Sequence, residues 1–463
     1  MSPQRLVRSP FLVRVARSDG DATFFHSLFG TSLVLNQEGE AVLDLFSEPR
    51  TLAEAQSAAR GNLSRTLRAF VAKRLLVDHD ADERAEFTSR MRPHAPATGA
   101  HIEDLVLLVA EQCNLACPYC IKDRLMGLRP ERRQARMTAR HATEAIDAFL
   151  ALAAQNGRTD VGLQFRGGEP LLNAGVVVDA TRYMREQWTR GSVTVAMVSN
   201  ATLVTAAMAK TLAELAIAVE VSIDGPQQVH DSIRFTKGGK PTYDRVMTGL
   251  SRLIEAGVEV SNINTTITAD TIAFIDRAFL AELARLGVRR LNLEPDVLSP
   301  VDSDPRRLAM RLLALRAEGR AHGIEVGGCW GRALRALASI NQGASLPPPA
   351  DYPLLIVDAL GQVVPWEYNG VGDFGPVTDL EAVVRSDAFA RHVEARSPGR
   401  IPECQGCEVE GLCQGNASMT LIYERGTGRR GLFAHRCDLI RQMTRGVLTE
   451  TEAITTETMP AGH

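Results

Sequence analysis

Between residues 104 and 300, short apolar runs alternate with longer stretches of helical apolar spacing. The candidate strands are Leu105–Ala110, Val161–Phe165, Val193–Val198, Val219–Ile223, Val260–Ile267 and Arg290–Leu293. All are too short for typical helices and read as buried strands. Stretches such as Ala139–Ala153 and Thr205–Ala216 carry apolar residues at helical intervals between them. This alternation predicts parallel βα units and an α/β fold class. Six units predict a partial (β/α)6 barrel, an open version of the eightfold one, whose chemistry would sit at the C-terminal ends of the strands.

The flanking regions follow other patterns. Residues 1–78 predict a small separate domain: strands at Leu12–Val15 and Ser32–Leu35, a turn at Asn36–Gly39, and a helix at Ala41–Phe46. Pro49 ends that helix, and Thr51-Leu-Ala-Glu54 is a capping box that opens the next. Leu63, Leu67, Phe70 and Leu75 continue the helical spacing. Residues 79–101, with charges, Pro93 and Pro96, read as a linker. Residues 102–300 are the barrel. Residues 301–448 form a further unit: mostly helical to 350, then a hairpin of Leu354–Val357 and Gln362–Val364, then a cysteine-rich stretch. The polar tail 449–463 reads as disordered.

Composition narrows the function classes. A net charge of -3 gives no electrostatic footprint for nucleic acid. No run of about 18 apolar residues exists, so no membrane span is expected. Arg8, Arg14 and Arg17 interrupt the start of the chain, which therefore lacks a signal-peptide core and points to the cytoplasm. Eight cysteines in a cytoplasmic chain are not expected to form disulfides. They fall in groups, at 113–120 and 404–437 with Cys329 between, and grouping of this kind reads as metal ligation.

Cys113-Asn-Leu-Ala-Cys117-Pro-Tyr-Cys120 follows the first strand of the barrel as C-x3-C-x2-C. Three thiolates so spaced can hold three corners of a [4Fe–4S] cube, which leaves one iron open, since a closed cluster takes four cysteines. A three-cysteine zinc site or three buried thiols are the other readings. Phe165-Arg-Gly-Gly-Glu-Pro170 ends the second strand, where Gly167 and Gly168 permit close backbone approach and Glu169 offers an acceptor. Val198-Ser-Asn-Ala-Thr-Leu203 ends the third strand, Val221-Ser-Ile-Asp-Gly-Pro226 ends the fourth, and His230-Asp-Ser-Ile-Arg234 follows.

Together these segments resemble the radical SAM superfamily, over roughly residues 104–300 and on to 445. The resemblance implies that Cys113, Cys117 and Cys120 hold a [4Fe–4S] cluster whose open iron binds S-adenosylmethionine (SAM). It implies that Gly167, Gly168, Glu169 and Pro170 hold the SAM amino group. Ser222, Asp224 and Arg234 become candidates for the ribose and carboxylate, with Tyr119 and Asn200 as further cofactor contacts. Ala201 stands where the family has glycine. The implied chemistry is reductive cleavage of SAM to a 5′-deoxyadenosyl radical that abstracts a substrate hydrogen atom. An electron donor such as flavodoxin or ferredoxin goes with it.

Within the superfamily the chain is most similar to proteins with a C-terminal SPASM domain, among them sulfatase-maturing enzymes and maturases of ribosomally made peptides. Cys404, Cys407 and Cys413 form C-x2-C-x5-C, and Cys437 follows. They match the four ligands of the second auxiliary [4Fe–4S] cluster; structural zinc on the same thiolates is the alternative. The ligand set of the first auxiliary cluster departs from the pattern, with Ala417 and Trp366 in cysteine places, so one auxiliary cluster is expected and one is missing. Cys329 reads as a buried or free thiol. Glu367 stands where sulfatase-maturing relatives have an Asp taken to be the base on the substrate radical, and is the catalytic candidate. The N-terminal domain resembles the winged-helix element that holds a leader peptide, by adding a strand to an exposed edge; a purely structural decoration is the other reading. The expected function is modification of a ribosomally synthesised precursor peptide by cross-linking, epimerisation or side-chain oxidation. A sulfatase-maturase-like oxidase of protein Cys or Ser, a small-molecule dehydrogenase and a non-catalytic iron–sulfur scaffold stand as alternatives.

Overall fold

The computed structural model describes residues 4–58, 63–91, 98–126, 134–346, 354–365 and 372–449. At the N-terminus, β2 (Leu12–Ala16), β3 (Ala22–His26) and β4 (Ser32–Leu35) form an antiparallel sheet in that order. A separate ribbon pairs β1 (Leu6–Arg8) with β5 (Leu76–Asp78). β3 was not predicted. All five of its residues are buried, so it lacks the alternation that marks a half-exposed strand. Helices Gln37–Asp44, Leu52–Ala58 and Ser64–Ala72 pack on this unit through Leu43, Ala55, Leu67 and Phe70.

Asn36, expected in a turn, caps the first of these helices, its side chain accepting from Gly39 N. The predicted capping box forms: Thr51 N donates to Glu54 at 2.7 Å and Glu54 N to Thr51 Oγ1 at 3.2 Å. Residues 83–90, expected within a linker, are a helix capped by Asp82. Tertiary burial of Glu83 and Phe87 stabilises it, and its few apolar positions gave no periodic signal.

The central sheet runs β12-β11-β10-β9-β8-β7-β6-β13-β14-β15. The six expected strands are β6 (Asp104–Ala110), β7 (Val161–Gly167), β8 (Val193–Ser199), β9 (Ala218–Ser222), β10 (Val260–Ile267) and β11 (Arg290–Pro295), all parallel. Two further parallel strands extend it. β12 (Glu325–Gly328) adds to β11, inside a region expected to be mostly helical, and β13 (Leu354–Val357) adds to β6. β13 also turns into the expected hairpin with β14 (Gln362–Val363), and β15 (Gly375–Pro376) follows. Helices such as Ala139–Gln155, Ala174–Gln187 and Tyr243–Glu255 bury one face against the sheet. No helix among the described residues is long and apolar enough to cross a membrane.

Candidate active site

The cysteine run leaves the C-terminal end of β6 and is held by the two strands of chain that cross it. Gly168 N donates to Ala110 O at 2.7 Å and Glu169 N to Gln112 O at 2.8 Å. A Cβ on Gly167 would lie 2.3 Å from Ala110 O, and one on Gly168 would lie 2.0 Å from Gln112 O. Gly167 also has φ +136°. The two glycines thus let one backbone lie directly on the loop that presents Cys113. From the other side, Ala116 N donates to Phe235 O at 2.8 Å, which ties the loop to the segment after Arg234.

Glu169 is 1 % exposed, and both of its oxygens accept from protein donors: Leu171 N at 3.0 Å, Ser199 Oγ at 2.9 Å and Asn200 N at 2.8 Å. Burial raises its pKa against those bonds. Its carboxylate joins the ends of β7 and β8 and orients Asn200, whose Nδ2 lies 3.7 Å from Cys113 Sγ and 2.9 Å from Asn114 Oδ1. Ala201, in the family's glycine place, has φ +55°, the left-handed conformation glycine adopts most easily.

Asp224 is a second fixed point, fully buried beyond the end of β9. Tyr119 donates its phenol proton to Asp224 Oδ2, and Arg234 Nε donates to the same oxygen at 2.6 Å. Thr266 N donates to Oδ1 at 2.8 Å. The Arg234 guanidinium lies 5.7 Å from the centre of the Tyr119 ring. Burial, with the Asp224 charge beside it, pushes the Tyr119 phenol up, so it remains a donor. One carboxylate therefore ties the cysteine run, β9, β10 and the Arg234 segment together. Ser222 ends β9, half-buried, in register with Asn264.

Sequence reasoning passed over a polar row on the same sheet. Asn264 donates to Glu220 at 2.6 Å, Asn292 Nδ2 lies 3.3 Å from Asn264 Oδ1 and 3.4 Å from Glu294 Oε1, and Arg436 reaches Glu294 Oε2 at 2.7 Å. These residues alternate with buried Val219, Val221, Ile263, Leu291 and Leu293 along their strands. Polar alternation in a parallel strand, normally apolar on both faces, was the available signal.

Arg436 also brings the second cysteine group to the barrel, for it precedes Cys437 on helix Leu432–Thr449. Cys404, Cys407, Cys413 and Cys437 converge: burial pushes the Cys404 thiol up to about 12, and Cys413 and Cys407 add to the rise. Cys437 is raised by burial and by the other three thiols. The Arg441 guanidinium lies 3.8 Å from Cys407 Sγ. Cys329 is buried just after β12, near Cys413, Arg436 and Glu294. Ala417 lies in an apolar cluster with Ile401, Leu421 and Phe433. Trp366 and Glu367 lie outside the described residues.

Among the described residues, neither cysteine group is drawn together as tightly as a tetrahedral zinc site requires. Tetrahedral zinc with Zn–S bonds of about 2.3 Å needs sulfurs about 3.8 Å apart. Among the described residues, no three cysteine sulfurs fall within 4.8 Å of one another. Burial also raises Cys113 to about 12 and lifts Cys117 and Cys120, so the thiolates need a cationic group beside them.

Residues 107–269 match the sequence model of the Radical SAM superfamily. Those residues form a radical SAM domain, and the chain is related to radical SAM enzymes. It is 22% identical over 436 residues to the radical SAM cyclopropyl synthase TigE of Paramaledivibacter caminithermalis, covering 90% of each chain. It is 32% identical over 158 residues to a serine-type anaerobic sulfatase-maturating enzyme of Bacteroides thetaiotaomicron, 34% of this chain and 37% of that one. In fold it is similar to native anSMEcpe solved with bound AdoMet and Kp18Cys peptide, with TM-score 0.60 and 18% identity over 75% of this chain and 98% of that one.

Proposed function

We propose that this radical SAM enzyme modifies a ribosomally synthesised peptide whose leader is held by the N-terminal domain. The observation that carries the reading is a groove of about 920 Å³ beside β4, lined by Leu33, Val34 and Leu35 and by Arg65, Thr66 and Ala69 of helix Ser64–Ala72. Among the described residues β4 pairs only with β3, which leaves its outer edge for an added strand. The opposite edge strand, β2, packs against the C-terminal helix. Val34, 41% exposed at that edge, offers an apolar contact to an incoming peptide.

In this reading Cys113, Cys117 and Cys120 hold a [4Fe–4S] cluster, and SAM lies against Gly167–Pro170, Asn200, Ser222 and Arg234. When bound, that pair supplies a carbon radical able to take a substrate hydrogen atom. The chain's own work is positional. Asp224 fixes Tyr119 and Arg234, Glu169 fixes Asn200, and the polar row from Glu220 to Glu294 gives the substrate hydrogen-bonding partners. Cys404, Cys407, Cys413 and Cys437 hold one auxiliary cluster, and the apolar setting of Ala417 accords with loss of the other. A second reading, a protein Cys or Ser oxidase with Glu367 as base, draws on the similarity to the sulfatase-maturating enzyme.

The test pairs the anaerobically reconstituted enzyme, SAM and reductant with synthetic peptides from short reading frames adjacent to the gene. A peptide product changed in mass, alongside 5′-deoxyadenosine, is the expected result. Modification of the peptide core without any dependence on its leader would sink the leader-binding part.

A further inference from the structure

The N-terminal unit meets the second cysteine group face to face. Gly411 N, in the short helix Glu410–Cys413, donates to Ser27 O at 2.9 Å. A Cβ on Gly411 would lie 1.8 Å from Leu28 O, so the turn after β3 rests directly on the backbone of that helix. From the other side, a Cβ on Gly30 would meet Leu412 Cδ2 at 2.6 Å. His26 fixes the turn: its Nδ1 accepts from Leu28 N at 3.2 Å and Phe29 N at 3.3 Å.

A charge crosses the same contact. Glu410 is 2% exposed, and its Oε2 has no hydrogen-bond partner among the described residues. Its Oε1 accepts from Arg84 Nη1 at 2.6 Å, and Arg84 comes from helix Glu83–Arg90. That guanidinium also lies 5.3 Å from the Phe11 ring and 5.9 Å from the Phe87 ring, so aromatic contacts hold it in place. Glu410 begins the short helix Glu410–Cys413, three residues before Cys413. A buried carboxylate beside the cysteine group thus has its cation supplied by another unit of the chain.

We propose that the N-terminal unit builds one wall of the auxiliary cysteine centre, with Arg84 as the positioning residue that sets the charge there. The proposal rests on the iron–sulfur reading of Cys404, Cys407, Cys413 and Cys437. Net charge and hydrogen bonding around the sulfurs set the potential of such a centre. The turn Ser27–Gly30 leads straight into β4, so the same hairpin forms the peptide groove and the wall of the centre.

The test uses the full chain with Cys113→Ala, Cys117→Ala and Cys120→Ala, reconstituted anaerobically with iron and sulfide so that the auxiliary centre alone loads. Iron content, midpoint potential and the reduced EPR spectrum are compared with those after adding Arg84→Leu. Arg14→Ala, which breaks an exposed pair with Glu40 in the same unit, is the control. Arg84→Leu leaves the Glu410 charge unpaired, and the expected result is a more negative potential with altered g-values while Arg14→Ala changes neither. An Arg84→Leu chain with the iron content, potential and spectrum of its parent overturns the proposal alone. A parent that takes up zinc and no iron overturns the iron–sulfur reading, and the proposal with it. Should Arg84→Leu lose its fold, Arg84→Lys decides by the same outcomes: a smaller shift of the same sign, or none.

Discussion

Gly168 lies so close to Gln112 that a methyl group would face the carbonyl oxygen at 2.0 Å and the carbonyl carbon at 2.2 Å. Backbone cannot yield as a side chain tip can, so the loop carrying Cys113 must shift. Gly168→Ala is therefore expected to lose the radical centre's share of iron, roughly four atoms, and to leave the auxiliary share; iron and sulfide analysis after anaerobic reconstitution checks this. His230 makes a prediction of a different kind. It is fully buried, with Nδ1 3.3 Å from Asp224 N and Nε2 3.2 Å from Thr242 Oγ1. Burial lowers its pKa to about 4, and the Arg234 charge adds to this. The unfolded chain takes up a proton near the ordinary value of about 6.5, whereas the folded chain resists until about 4. The stability due to neutral His230 is thus complete above about 6.5 and is lost as pH falls toward 4, by roughly 3 kcal/mol. Urea midpoints of wild type between pH 7 and pH 5 should fall more steeply than those of His230→Gln. Parallel curves would contradict the assignment.

The elements that the sequence disclosed best are those whose burial is most regular. All six expected barrel strands form, within two residues at each end: β6 reads as an unbroken apolar run, while β9 and β11 are runs that alternate apolar and polar residues. Motif positions were legible for the same reason, since each sits where such a run ends. Missed elements owe their stability to partners distant in sequence. β12 has only Val326 buried and forms by adding to β11. Helix Glu83–Arg90 depends on Glu83, which accepts from Ser9 Oγ at 2.6 Å and pairs with His26 at 2.8 Å. The Glu220–Asn264–Asn292–Glu294 row was hidden because its members come from three strands and meet only through register. At this scale the exposed edge of β4 is the element most open to a decisive substitution. Val34→Lys places a charge on that edge, where lysine discourages strand addition. Its exposure predicts an unchanged fold. Binding of a leader-containing peptide by fluorescence anisotropy should weaken about tenfold, or about 1.4 kcal/mol. Equal affinity in the two chains would move the peptide site elsewhere.

At the scale of the whole molecule, the chain places two thiol groups on opposite sides of one polar row. Cys113, Cys117 and Cys120 lie beyond β6, while the row across β9, β10 and β11 ends on Arg436, next to Cys437. A substrate on that row would have a radical source at one end and an electron acceptor at the other, which an oxidative modification requires. The proposed function calls for two clusters, and thiolate counting makes that expectation quantitative. Wild-type protein reconstituted anaerobically should hold about eight irons, and the Cys113/Cys117/Cys120→Ala chain about four. Four irons in wild type and none in the variant would assign zinc or nothing to Cys404, Cys407, Cys413 and Cys437, and the acceptor would be lost from the scheme. Twelve irons in wild type would require ligands at the departed first auxiliary site, where only Cys329 remains among cysteines outside the two groups. Because Ala417, buried in an apolar cluster with Ile401, Leu421 and Phe433, supplies no thiolate at its position, the expected count is eight.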